Sequence, residues 1–402
     1  MNYQETINYL FQKLPIYQRV GGLAYKKDIG NILEACETIG NPHLEFQSVH
    51  IAGTNGKGST AHMISSILQE SGYNIGLYTS PHLKDFRERI KINGKMISKK
   101  FITNFIKNNK KIFENINMSF FEMTVAMAFK YFHQRKVDLA IIETGLGGRL
   151  DSTNIIKPIV SVITNIGLDH QELLGNTIQK IAKEKAGIIK KSVPVIIGRY
   201  QKECSEIFTK RSKELNSEII FCNKIKKYKT DLCGNYQIEN ISTAIHTINI
   251  LKRNMKISNH HISNGLLNVI KNTSFKGRWQ IIETKPLTIC DIAHNIDGIK
   301  KVLHELKKIE YNRLHIIIGT VDDKDVGNML SILPKDAIYY FCEANIPRSL
   351  KKENLKKEAG YHGLYGEVYN NVKEALILSQ RSAKEQDCII ITGSTFIVAE
   401  II

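Results

Sequence analysis

The sequence contains no run approaching the roughly 18 consecutive apolar residues of a membrane span, which excludes an ordinary transmembrane helix. Its first residues, MNYQETINYLFQKLP, lack the basic-then-apolar order of a secretory signal, so a cytoplasmic protein without a membrane partner is expected. Cysteine is sparse and unpatterned. Cys36, Cys204, Cys222, Cys233, Cys290, Cys342 and Cys388 are odd in number and form no C-x-x-C or histidine-paired spacing. That excludes a zinc site and a disulfide framework and leaves reduced, mostly buried thiols. Internal repeats, low-complexity tracts and heptad runs are also missing. Acidic residues are outnumbered, 39 against 56 Lys plus Arg, for a net charge of +17. The excess favours anionic partners such as nucleotides, polyphosphates, polycarboxylates or nucleic acid. Most lysines are scattered singly, however, and Lys, Ile and Asn are abundant together, as base-composition drift in the genome would produce. Charge alone decides nothing.

What is present is a chain of 402 residues, 42% hydrophobic and 24% charged, with the composition of a globular protein and too long for one typical core. Short β-branched runs alternate with amphipathic stretches, the pattern of an α/β protein. Strands are expected at Val49–Ala52, Asn74–Tyr78, Leu139–Ile142, Ile159–Thr164 and Pro194–Ile197. Between them apolar residues recur at helical spacing, as at Ala61, Ile64, Ile67 and Leu68, or Val125, Ala128, Phe129 and Phe132. Helices would thus cover both faces of a parallel sheet. A second, smaller alternation begins near Trp279, with strands at Leu287–Cys290, His315–Ile318, Ile338–Phe341 and Ile389–Thr392. The polar, aperiodic Lys271–Lys276 reads as the linker, giving domains at 1–272 and 277–402.

Gly53-Thr54-Asn55-Gly56-Lys57-Gly58-Ser59-Thr60 follows an expected strand and opens an expected helix, the context a phosphate-binding loop requires. Glycines let the backbone approach an anion, the helix N-terminus supplies free amides, and Lys57 adds a charge at the terminal phosphates. Ser59 and Thr60 are hydroxyls placed to meet magnesium or phosphate. Ile51 stands where the usual first glycine would be, and Gly58 is inserted after the lysine. The competing reading is a flexible turn before a helix.

Glu143 ends one strand, while His170 lies just beyond another and Ser80 follows a third. All three would emerge at carboxyl ends of parallel strands, where open α/β sheets bind ligands. Together they are candidates to hold Mg²⁺, with histidine an unusual ligand for so hard a cation. Taken singly, Glu143 reads equally as a helix cap, His170 as a buried hydrogen-bonding histidine and Ser80 as a turn residue. Gly145–Asp151 is glycine-dense. Twenty positions after Gly145, where the next expected strand ends, stands Asn165 rather than an acidic residue, which disfavours a nicotinamide cofactor.

GTNGKGST, YTSPHL, FFEM, ETGLGGRLDSTN, GLDH, EKAGI and DIAHN, in this order from about Tyr17 to Gly393, resemble the folylpolyglutamate synthase and dihydrofolate synthase branch of the Mur ligase superfamily. The resemblance implies a P-loop NTPase-like parallel-sheet domain followed by a smaller Rossmann-like α/β domain, with ATP between them. It implies that Asn55, Gly56, Lys57, Gly58, Ser59 and Thr60 bind ATP phosphates and that Asn240 contacts the base. Arg278, Asp291 and His294, with Asn295 in the same motif, would close over ATP. Ser80, Glu143 and His170 would hold magnesium, and Lys185 would be a carbamylated (N6-carboxylated) lysine supporting a second Mg²⁺. From its residue pattern alone, Lys185 reads as a solvated helix lysine. Ser119, Phe120, Phe121 and Glu122, with Leu150, match the pteroate-binding region; core packing is the other reading of the two phenylalanines. Tyr236 departs from the histidine the family often carries before the glutamine of Gln237–Asn240.

The activity implied is ATP-dependent joining of L-glutamate to dihydropteroate and to reduced folates through an acyl phosphate, with Lys57, His170 and Lys185 in the catalytic machinery. Such an enzyme is expected to act as a monomer on small molecules. The alternatives are polyglutamylation alone or another Mur-type amino-acid ligase. A peptidoglycan Mur ligase would place a UDP-sugar domain before the phosphate loop, where only 52 residues stand. A P-loop nucleic-acid protein would suit the charge but needs a basic stripe with interleaved aromatics, and none is found.

Overall fold

A computed structural model of the chain describes residues 1–12, 14, 28–322 and 325–402. Tyr17, where the family likeness begins, lies outside them. The chain forms two compact units. One comprises Met1–Gly167, Gln171–Asp231 and Gln237–Phe275, the other Leu168–His170, Leu232–Tyr236 and Lys276–Ile402.

The first unit contains β1 (Ser48–Ala52), β2 (Ile75–Tyr78), β3 (Ile90–Ile92), β4 (Lys95–Met96), β5 (Leu139–Glu143), β6 (Val160–Ile163), β7 (Val195–Ile197) and β8 (Ile219–Phe221). They form one sheet in the order β4-β3-β2-β5-β1-β6-β7-β8. The pairs from β2 to β8 are parallel, and β3 and β4 extend one edge antiparallel. β1, β2, β5, β6 and β7 are buried along their whole length, as a parallel sheet covered on both faces requires. Register sets Ile51 beside Glu143 and Ala52 beside Ile163, so the carboxyl ends of β1, β5 and β6 share one edge.

Helices Lys99–Asn115 and Phe120–Gln134 show why the sequence packs this way. Ser98 caps the first by accepting from Phe101 N, and its period buries Ile102, Phe105, Ile106 and Phe113. Those side chains join Phe120, Phe129 and Phe132 in one core. Each large apolar side chain buried there contributes about 1.5–3 kcal/mol relative to exposure.

The second unit contains β9 (Gln280–Thr284), β10 (Leu287–Cys290), β11 (Leu314–Ile318), β12 (Ile338–Phe341), β13 (Gly366–Val368) and β14 (Cys388–Thr392). Its sheet runs β13-β12-β11-β14-β10-β9, parallel except for β9, which pairs antiparallel with β10. The α/β class and the parallel character of both sheets therefore hold.

The sequence missed β3, β4, β8, β9 and β13. All lie at or next to a sheet edge and are short or half-exposed; β8 is apolar but only three residues long, and the others are interrupted by polar residues or glycine. Lys271–Thr273, expected to be aperiodic linker, instead closes a short helix, Val269–Thr273, whose first residue and Thr273 are buried. All seven cysteines are unpaired, five of them buried. Among the described residues no helix is long and apolar enough to cross a membrane.

Candidate active site

β1 delivers the chain into the glycine loop, and Gly56, at φ 83°, is the N-cap of helix Lys57–Glu70. The helix start leaves backbone amides without intrahelical acceptors, the arrangement that attracts anions. The loop is tied down from behind by the exit of β6. Asn165 Oδ1 accepts from Asn55 N at 3.0 Å, and its Nδ2 donates to Asn55 O at 2.9 Å. Thr164 Oγ1 donates to the same carbonyl at 2.7 Å, while Thr54 Oγ1 accepts from Gly167 N at 2.9 Å. On the other side lies Asn240, steadied by a 2.7 Å bond from its Nδ2 to Gln237 Oε1. A Cβ at Gly56 would fall 2.3 Å from Asn240 Oδ1, so only glycine permits this approach.

Lys57 Nζ donates to Gly53 O at 3.0 Å and Thr54 O at 3.2 Å, and Lys185 Nζ donates to Gly53 O at 2.9 Å. Lys185 is only 4% exposed, which corrects its reading as a solvated helix lysine. The signal was its phase: helix Ile178–Ala186 buries Ile181 and Ala182, and Lys185 stands four residues after Ile181 on the same face. The glycine-dense segment closes over it. A Cβ at Gly148 would lie 3.0 Å from Lys185 Cα, and Arg149 N donates to Glu184 O at 2.7 Å. Ser59 and Thr60 are buried, and Thr60 Oγ1 has no hydrogen-bond partner among the described residues.

Glu143 ends β5 at 4% exposure and accepts from Ser80 N at 3.2 Å, so these two residues meet. The loop beyond Glu143 is braced by a buried relay. Thr153 Oγ1 donates to Asp151 Oδ1 at 2.5 Å, and Asp151 Oδ2 accepts from Leu146 N at 2.7 Å. Thr153 Oγ1, its proton committed, accepts from His50 Nε2 at 2.8 Å. His50 Nδ1 is then a buried atom without a partner among the described residues, and burial pushes the imidazole pKa down to about 3. Among the described residues no three His, Cys, Asp or Glu side chains form a metal-binding group. The Glu143 carboxylate is a donor of the oxygen class that Mg²⁺ takes in nucleotide sites. The buried Glu143 carboxylate, with the Ser80 main chain against it, fits such an ion.

Ser119 and Glu122 form a buried capping box at the start of Phe120–Gln134: Ser119 N donates to Glu122 Oε2 at 2.7 Å, and Glu122 N to Ser119 Oγ at 3.3 Å. The two phenylalanines part company. Phe120 is 3% exposed, with Phe11 and Phe86 at ring distances of 5.1 and 5.8 Å and the Arg89 guanidinium 5.3 Å from its centre. Arg89, itself buried, donates from Nε to His82 Nδ1 at 2.7 Å, and burial holds both pKa values below their ordinary values. Phe121 is half-buried, its ring against Gly145 and 6.2 Å from Tyr78. Leu150 is half-buried in the segment beyond Gly148.

In the second unit, His170 stands at φ 50° beside Asp169. Asp169 accepts from His170 N at 2.9 Å through Oδ1 and from Asn295 Nδ2 at 3.2 Å through Oδ2, with His294 Nε2 3.4 Å from Oδ2. Asp291 Oδ2 accepts from the Tyr236 hydroxyl at 2.8 Å and from Trp279 N at 2.9 Å. Burial raises the Asp291 pKa, and the positive charge of Arg278 opposes that rise. Asp169 and Tyr236 were missed as site residues, although each adjoins a residue singled out in its motif.

Two family models cover most of the chain: the Mur ligase middle domain at residues 51–267 and the Mur ligase glutamate ligase domain at 277–395. The folylpolyglutamate synthase of Lacticaseibacillus casei is 32% identical, across 100% of this chain and 98% of that protein. A probable bifunctional folylpolyglutamate synthase/dihydropteroate synthase of Haloferax volcanii is 31% identical across the whole chain, which spans 50% of that relative's length. Among solved structures, Escherichia coli FolC in complex with DHPP and ADP matches with a TM-score of 0.89 at 26% identity, covering 100% of this chain and 97% of that one. A bifunctional folylpolyglutamate synthase/dihydrofolate synthase with Mn, AMPPNP and L-glutamate bound matches at 0.86 and 25%, with coverage of 100% and 97%.

Proposed function

This chain belongs to the Mur ligase family, in its folate branch, and from that premise we propose that it is an ATP-dependent ligase joining L-glutamate to dihydropteroate and to reduced folates. The observation that carries this is the pinned phosphate loop, with Lys57 and Lys185 donating to one Gly53 carbonyl.

A carboxylate is a poor electrophile. In the proposed reaction its oxygen attacks the γ-phosphorus of ATP, the bond to ADP breaks, and an acyl phosphate forms. The amine of glutamate then attacks the acyl carbon, an amide bond forms, and phosphate leaves as the amine loses a proton. Phosphoryl transfer asks for positioning and charge neutralisation. Those roles fall to the amides of Asn55–Thr60 and to the Lys57 ammonium, with Asn240 against the loop for the base. By their motifs, Arg278, Asp291 and His294 of the second unit are also assigned to ATP.

Ser80, Glu143 and His170 are assigned to Mg²⁺, which when bound neutralises phosphate charge. Lys185 is assigned to a second ion through N6-carboxylation: its neutral amine adds to CO₂, a proton leaves, and a cation becomes an anion. Phe121 and Leu150 are assigned to the pterin, with Phe120, Ser119 and Glu122 shaping the helix start behind them. Seven unpaired cysteines support a cytoplasmic setting, and one chain acting as a monomer supplies every group named.

Glutamate-dependent phosphate release, measured with dihydropteroate and separately with reduced folates, tests the proposal. Release with both supports dual activity. Release with reduced folates alone leaves the polyglutamate synthase, and release with neither points to another Mur-type amino-acid ligase.

A further inference from the structure

Asp291 is held by three donors. Tyr236 Oη and Trp279 N share its Oδ2, at 2.8 and 2.9 Å, while Ala293 N donates to Oδ1 at 2.9 Å. What the carboxylate grips is a strained turn. Gly277 has φ 77° and Trp279 has φ 44°, and a bulky side chain in that left-handed region is a steric outlier. The Trp279 N–H bond to Asp291 and the burial of its ring, 6% exposed in the second unit's core, oppose that strain. A second tie runs from Ile292 N to Gly277 O at 3.1 Å, closing the turn onto the strand end that carries Asp291. Between the permissive glycine and the strained tryptophan stands Arg278.

Tyr236 is itself fixed. Its ring packs on the second unit's core, and a Cβ at Gly234 would lie 2.6 Å from the ring. Burial raises the phenol well above its ordinary pKa, so it remains a donor throughout the working range. No step of the ligation needs a phenol, yet this one spends its proton on the buried carboxylate that holds the Arg278 turn.

We propose that Tyr236 is a positioning residue for ATP: its hydroxyl orients Asp291, Asp291 pins the strained Gly277–Trp279 turn, and the turn sets Arg278. This rests on the assignment of Arg278 and Asp291 to the nucleotide. Without the hydroxyl, the carboxylate loses one of two donors on Oδ2, and hydrogen bonds to charged groups are among the strong ones.

Tyr236→Phe keeps the ring and removes only the hydroxyl. The expected result is a KM for ATP raised about tenfold, with kcat within about twofold and the KM for glutamate unchanged. Trp279 is the single tryptophan of the chain, so its fluorescence reports the turn without any turnover. Acrylamide should quench it more readily in ligand-free Tyr236→Phe than in the unsubstituted protein. Because Tyr236 acts through Asp291, adding Tyr236→Phe to Asp291→Asn should cost little more ATP affinity than Asp291→Asn alone.

An unchanged KM for ATP, an additive double variant, or a raised KM with unaltered Trp279 quenching would each overturn the proposal. If the unsubstituted protein showed no glutamate-dependent ATP turnover, the assignment of the site would fall instead. The quenching comparison would then still decide whether Tyr236 holds the turn.

Discussion

Lys57 and Lys185 donate to the same oxygen, Gly53 O, at 3.0 and 2.9 Å, which brings their ammonium groups within about 6 Å of each other. Two like charges so close, one of them on a residue only 4% exposed, repel each other. Under the proposed function, bound phosphate would offset both charges, and carboxylation of Lys185 would turn the repulsion into attraction toward Lys57.

Lys57→Ala should lower ATP turnover at least a hundredfold, the cost of losing one donor to developing charge. The fold should persist, because Asn165, Thr164 and Gly167 tie the loop down independently. Steady-state phosphate release beside a thermal melt checks both, and near-normal turnover would contradict the assignment.

Lys185→Ala should be nearly inactive and partly rescued by a short-chain carboxylic acid in the buffer, which supplies the missing anion. Lys185→Arg, which cannot be carboxylated, should be inactive and not rescued. Full activity in the alanine variant would sink the carboxylation.

Much of this was legible in the residues, and the misses have physical causes. β1, β2, β5, β6 and β7 stand out because a strand buried on both faces must be apolar throughout. β3 and β4 carry lysines that break any apolar run: Lys95 is exposed on the edge strand, while Lys91 is buried one strand in, with its Nζ donating to Thr273 O at 2.8 Å. Glu143 and Ser80 could be placed because one ends and the other follows a strand of the same sheet. Lys185 was misjudged on its charge, although its helical phase with Ile181 marked it as buried. The Asp169 cluster and the Tyr236–Asp291 bond join residues far apart in the chain, and no local pattern encodes such a pair.

Phe120 and Phe121 should separate on substitution. Phe121→Leu should raise the KM for the pterin substrate severalfold and leave the KM for ATP and the melting temperature nearly unchanged. Phe120→Leu should cost about 1–2 kcal/mol of stability, because it reshapes the core formed with Phe11, Phe86 and Arg89. Denaturant unfolding and substrate kinetics on both variants check this, and equal losses for ATP and pterin with Phe121→Leu would point to packing alone.

His50 should make the protein acid-sensitive. Its imidazole is neutral in the fold, with a pKa near 3 against an ordinary 6.5, so between those values the unfolded chain binds more protons. The stability it contributes is complete above about pH 6.5 and is lost as pH falls toward 3. His50→Gln keeps a donor toward Thr153 but does not titrate. Its melting temperature should therefore fall less between pH 7 and pH 5 than that of the unsubstituted protein; parallel curves would contradict the account.

The most direct measurement of the proposed ligation follows a heavy-oxygen label from the substrate carboxylate. Dihydropteroate or a reduced folate, labelled in the carboxylate that receives glutamate, is turned over with ATP and L-glutamate, and the released phosphate is analysed by mass spectrometry. An acyl phosphate requires that phosphate leave carrying one labelled oxygen, and only when glutamate is present to displace it. Unlabelled phosphate, or phosphate released equally well without glutamate, would contradict the account.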